Sequence, residues 1–176
     1  MREMRRRRTC DPRLPAQALV IHRRKVAGCA DPVLRRGRPP IRIREIDHLV
    51  LRVIDLDRML HFYCEVLGCP IERRLDSIGL VQLRAGRSLV DLVPVNGQLG
   101  RAGGAPPAKE GRNLDHFCFR VEPFDEAAIR SQLERHNVEA GPLAMRNGAE
   151  GEGPSIYISD PEGNIVELKG PPGGRQ

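Results

Sequence analysis

The sequence predicts an α+β domain assembled from two βαβββ modules, and three observations predict it. Ile46-Asp47-His48-Leu49-Val50-Leu51-Arg52-Val53 returns 68 residues later as Leu114-Asp115-His116-Phe117-Cys118-Phe119-Arg120-Val121. Leu89-Val90-Asp91-Leu92-Val93 returns 76 residues later as Ile165-Val166-Glu167-Leu168-Lys169. Between the copies, residues 96–112 are rich in Gly, Ala and Pro without periodicity, which marks a linker. One such module is too small to close a core alone, so the two must pack together.

The elements follow in order from Ile41, where the composition changes after Pro39-Pro40. Residues 46–53 are a run of strand-like apolar residues ending before Asp55. Asp55 is a suitable N-cap for a helix through about Leu67, in which Leu56, Met59, Leu60, Tyr63 and Leu67 recur at helical spacing. Gly68 closes it as a C-cap and Pro70 follows. Three strands are expected at 71–75, 79–84 and 88–95, which completes the module 41–95. The second module, 113–170, repeats the order. A strand at 114–121 leads to a helix from Phe124 or Asp125 to about Asn137, with Ala128, Ile129, Gln132 and Leu133 facing inward. An edge strand is expected at 138–143, a Gly-rich loop at 145–153, and strands at 155–159 and 165–169. Asp160-Pro161-Glu162-Gly163-Asn164 joins the last two, since Pro presets one φ and Gly supplies a positive one. Residues 171–176 read as a short tail.

The net charge of +6 does not belong to this domain. Residues 1–40 hold 12 Lys+Arg against 3 Asp+Glu, leaving 17 against 20 in the remainder. The folded body is therefore mildly acidic, which disfavours nucleic acid as its partner. The leading segment has one apolar patch, Ala18-Leu19-Val20-Ile21, and is expected to be a disordered basic tail. It lacks the apolar stretch of a secretory signal and the serines usual in an organellar presequence. No run approaches a membrane span. The five cysteines, an odd number without a CxxC pair, oppose a disulfide framework and suit a reducing, cytoplasmic setting.

His48 and His116 occupy matching positions in first strands, and Asp91 and Glu167 in last strands. A carboxylate within Ile-Val-x-Leu is costly to bury unless it is paired or liganded. Two strand histidines and two such carboxylates suit a divalent cation with an N2O2 protein shell and open positions for water or substrate.

The chain resembles the vicinal oxygen chelate superfamily, which includes glyoxalase I, methylmalonyl-CoA epimerase, extradiol dioxygenases and the fosfomycin- and bleomycin-resistance proteins. The resemblance covers about Ile41 to Gly170. It rests on Asp47-His48-Leu49-Val50-Leu51-Arg52-Val53, on Asp55-Leu56-Asp57-Arg58 followed by His61-Phe62-Tyr63 and Val66-Leu67-Gly68, on Asp115-His116, and on Asp160-Pro161-Glu162-Gly163-Asn164 before Ile165-Val166-Glu167-Leu168. It implies paired βαβββ units forming a half-open barrel around a metal. His48, His116 and Glu167 fall on three family ligand positions, and Asp91 on the fourth, where glyoxalase and epimerase members carry Glu, Gln or His. Asp is one methylene shorter, so both a four-ligand and a three-ligand site are open.

The resemblance implies a metal acting as a Lewis acid on a substrate chelated through adjacent oxygens, with Glu167 as ligand and general base. Arg52 stands where glyoxalase-I-like sequences often carry an anion-binding Arg. Ni²⁺, Zn²⁺, Mn²⁺ and Co²⁺ all suit the four-ligand shell, and Fe(II) suits a triad of His48, His116 and Glu167. A glyoxalase-like lyase or isomerase is the leading expectation. An extradiol-type dioxygenase, a bleomycin-resistance-like binding protein and a fosfomycin-type thiol transferase are the alternatives. A homodimer acting on a small molecule is expected.

Overall fold

The computed structural model describes residues 41–173, and the compact unit begins at Arg44. The disorder expected of the basic segment 1–40 lies outside the described residues, as does the end of the closing tail. The first module comprises β1 (His48–Val53), α1 (Leu56–Leu60), β2 (Ile71–Leu75), β3 (Leu80–Ala85) and β4 (Ser88–Pro94). After α2 (Gln98–Ala102) the second module runs through β5 (His116–Arg120), α3 (Glu126–Arg135), β6 (Ala144–Arg146), β7 (Gly153–Ser159) and β8 (Ile165–Lys169). Each module forms one four-stranded mixed sheet, in the orders β1-β4-β3-β2 and β5-β8-β7-β6. The first strand of each pairs parallel with the last, and the other pairings are antiparallel. The α+β architecture of two βαβββ modules is thus observed, as two open sheets rather than a closed barrel.

Three elements differ from the sequence expectation, each for a local reason. The first helix is α-helical for five residues and continues as a π-helix, His61–Val66, in which the Leu67 N–H donates to Phe62 O at 3.1 Å. Asp55 caps its start by accepting from Arg58 N, and Asp125 caps α3 in the same way through Ala128 N. The linker holds α2, which at five residues is too short to show a periodicity. The edge strand forms at 144–146 rather than 138–143, which include Pro142, a residue with no N–H to give a ladder.

Strand parity decides which faces meet. Leu49, Leu51 and Val53 of β1 alternate with His48, Val50 and Arg52 on the other face. The shared core uses the first set, with Val90 and Leu92 of β4, Met59, Phe62, Tyr63 and Val66 of the first helix, and Leu133, Ile156, Ile158, Val166 and Leu168 of the second module. Packing the modules through these faces leaves the histidine-bearing faces pointing away from the common core.

The turn before β8 also fastens the modules together. Asp160, buried, accepts from Glu162 N and Asn164 N through Oδ1, and from Tyr63 OH and Asn164 Nδ2 through Oδ2. Glu162 Oε1 accepts from Ile54 N and Asp55 N at the start of α1. Gly163 takes φ 77°, which a Cβ would resist. Burial, and then Asp160, raise the Tyr63 phenol far above its ordinary value, so it stays protonated and donates. A hydrogen bond to a charged acceptor contributes about 1.5–3 kcal/mol. Tyr63→Phe is therefore expected to lower the melting temperature by about 5–10 °C, read by scanning calorimetry. A shift under 2 °C would show that water replaces the phenol without cost.

Candidate functional site

On the open face of the second sheet, the parallel register sets His116 beside Ile165 and Cys118 beside Glu167, and the antiparallel one sets Tyr157 beside Glu167. Glu167 is buried at 5 % exposure between these neighbours, and its Oε2 lies 3.5 Å from His116 Nε2. That separation suits two adjacent donors around one cation with bonds of about 2.1 Å. Glu167 Oε1 is buried and has no hydrogen-bond partner. A buried, orphaned carboxylate oxygen is costly, and a cation would satisfy it.

The open face of the first sheet repeats the arrangement in a looser form. His48 lies two residues before Val50, the register partner of Asp91, so imidazole and carboxylate share a face. Asp91 is buried, and both its oxygens accept from Gln82 Nε2, at 3.2 and 3.0 Å. The preceding aspartate holds each imidazole in the same way: Asp47 Oδ1 is 2.8 Å from His48 Nδ1, and Asp115 Oδ1 is 2.7 Å from His116 Nδ1. With Nδ1 engaged, Nε2 is left as the ligand atom, which is how metal-binding histidines are commonly oriented. The Asp47 hydrogen bond raises the His48 imidazole above its ordinary value against the opposing effect of burial, and Asp91 adds to the rise.

The fit to a divalent cation is good at His116 and Glu167, while Asp91 is engaged by Gln82, and the described residues do not gather the four side chains around one ion. Among the described residues no three His, Cys, Asp or Glu side chains form a metal-holding group. The cause is the parity described above, since the core is built on the opposite faces. The half-open barrel around one metal that the resemblance implies is therefore not assembled by three or more donors among the described residues.

Arg52 is held by protein. Its Nη1 donates to Gly103 O and Ala105 O, and its Nη2 to Gly100 O and Gly104 O, which ties the end of α2 to β1. A Cβ at Gly103 would meet Arg52 Nε at 2.4 Å, so a larger residue there would displace the guanidinium from these carbonyls.

Three residues near Glu167 escaped the sequence reading. The Tyr157 ring meets His116 edge-on at 5.3 Å between centroids, and the Arg146 guanidinium stacks 4.4 Å above the Tyr157 ring. Arg146 Nη1 donates to Ser155 O and Oγ, while its Nη2 and Nε have no partner among the described residues. Cys118 is the third. Burial, and then the Glu167 charge, push its thiol up to about 11. Peptide-mapped alkylation of Cys118 is therefore expected to be slow at pH 8 and to quicken when divalent metal is added, as the Glu167 charge is compensated. An unchanged rate would place any bound metal away from Glu167. Strand alternation was the signal that could have found Cys118 and Tyr157, while nothing in the sequence sets Arg146 over a ring.

A family model described as Glyoxalase/Bleomycin resistance protein/Dioxygenase superfamily matches residues 45–168. The chain belongs to this superfamily. It is 30% identical over 132 residues to the virulence protein STM3117 of Salmonella typhimurium, covering 72% of this chain and 83% of that one. It is 26% identical over 127 residues to a probable lactoylglutathione lyase of Synechocystis, covering 69% and 91%. Among solved structures, an integron cassette protein from the mobile metagenome of V. cholerae superposes with a TM-score of 0.60 at 26% identity, covering 74% of this chain and 97% of that one. The cassette protein shares the fold of two paired modules seen here.

Proposed function

We propose that the chain is a metal-dependent lyase or isomerase of the glyoxalase type, active as a cytoplasmic homodimer on a small molecule with two adjacent oxygens. The observation that carries this reading is the pair of matching half-sites on open faces, one ending in a buried carboxylate oxygen without a partner. His48 and Asp91 of one protomer would face His116 and Glu167 of its partner, giving the N2O2 shell. Val50 and Ile165, 48% and 36% exposed on these faces, supply apolar surface for such an interface.

Ni²⁺, Zn²⁺, Mn²⁺ or Co²⁺ in this shell would act as a Lewis acid on the two substrate oxygens. Glu167, shielded from water by Cys118 and Tyr157, would accept the proton from the adjacent carbon. Arg146, whose Nε and Nη2 are free of protein partners among the described residues, is better placed than Arg52 to hold a substrate anion. For Arg52 to do so, four linker carbonyls would have to let go.

Metal analysis of purified protein, with assay of lactoylglutathione formation from the hemithioacetal, tests the proposal. Bound nickel, zinc, manganese or cobalt with turnover supports it. Iron with oxygen uptake on catechols would replace it by the dioxygenase reading, in which His48, His116 and Glu167 suffice. Asp91→Asn separates the two shells: metal affinity falls at least about tenfold if Asp91 is a ligand, and holds if it is not.

A further inference from the structure

Away from the ligand-bearing pairs, the two remaining histidines of the described residues face each other across the seam between the modules. His61 opens the π-helix of the first module, and His136 ends α3 of the second. Their ring centroids are 5.5 Å apart and the planes are inclined at 57°. Neither imidazole hydrogen-bonds to another side chain or to backbone among the described residues. Both line a cavity of about 780 Å³, whose charged walls are Asp57, Glu139 and Asp160 against Arg58 alone. Three carboxylates against one guanidinium make this a cavity that attracts cations.

The ring spacing points the same way. With a metal–nitrogen bond of about 2.1 Å, each ring centre sits about 3.2 Å from the ion, and two ligands at a tetrahedral angle lie about 5.2 Å apart. The observed 5.5 Å therefore needs little adjustment. From the seam histidines and the acidic walls we infer a second metal site, in which His61 and His136 chelate one borderline cation such as Zn²⁺ or Ni²⁺. No third donor stands ready among the described residues. Water, or Glu139 or Asp57 after a change of rotamer, completes the shell. Asp160 is already committed to Tyr63 and the turn amides. Because the two ligands belong to different modules, the ion would fasten the π-helix to the end of α3.

The test is calorimetric titration of Zn²⁺ into untagged, metal-stripped protein, for the wild type, His61→Asn, His136→Asn and Glu167→Gln. Two ions per chain are expected in the wild type. One of them should weaken at least about tenfold in both His61→Asn and His136→Asn while the other persists. Glu167→Gln should do the reverse, so failure of the active-site reading and failure of this one are distinguishable. Zinc should also raise the wild-type melting temperature by several degrees more than that of His61→Asn. Melting in EDTA serves as the reference, because both seam variants should match the wild type there. Seam variants that bind as much zinc as the wild type with unchanged affinity would overturn the inference. A wild type that loses all zinc binding on Glu167→Gln would overturn it too, leaving a bare imidazole contact.

Discussion

Glu167→Gln is expected to abolish turnover and leave the fold intact. The change keeps shape and removes charge, so the core face of β8, carried by Val166 and Leu168, is undisturbed. Losing the general base costs about 10²–10⁴ in rate, and losing an anionic ligand adds to it. A fall of at least about 10³-fold in kcat/KM should result. Stability should move in the opposite direction. Glu167 is 5 % exposed and one of its oxygens has no protein partner, so without metal it would be a buried charge lacking full compensation. In EDTA the variant should melt at the same temperature as the wild type or about 1–3 °C higher, and with saturating metal below it. Turnover assays, metal content and paired melting curves decide this. Retained activity removes Glu167 from the mechanism, and a melting temperature more than about 5 °C lower in EDTA makes it a structural residue.

How much of this was legible in the sequence depends on the distance over which each residue acts. The repeat of Asp-His and of a carboxylate in the closing strand gave the two modules, because strand and helix periods are local properties of the chain. It also named four candidate donors, and in the structure His48 and Asp91 share the open face of one sheet and His116 and Glu167 that of the other. Which way the paired modules face was not legible. Leu51 and Val53 on one face and Val50 on the other are all apolar, so β1 reads as a run apolar on both sides, and composition alone does not choose the core face. The same holds for the clasp. Asp160-Pro161-Glu162-Gly163-Asn164 announces a turn through local chemistry, while its bonds to Tyr63 and Ile54 join positions about 100 residues apart. For Arg52 the resemblance implied an anion-binding role, whereas in the structure its guanidinium donates to carbonyls of a linker that has no periodicity to predict.

Complementation between two inactive variants should restore activity, and the outcome follows from the direction in which the open faces point. If each site takes His48 and Asp91 from one protomer and His116 and Glu167 from the other, then His48→Asn and His116→Asn homodimers each lack one imidazole in both sites. Each alone should lose at least about 100-fold in activity. In a mixed dimer one site collects both defects and the other collects none. Equal mixing with free exchange gives heterodimers in half of the population, so about one quarter of the wild-type sites return. Co-expression with two affinity tags isolates the heterodimer, in which about half of the wild-type activity per dimer is expected. Metal held at the shared site should follow the same proportion. A site built within one chain cannot behave in this way, because every chain in the mixture carries a defect. Verified heterodimers that remain as inactive as their parents would therefore refute the shared site, as would wild-type protein that is fully active as a monomer in sedimentation.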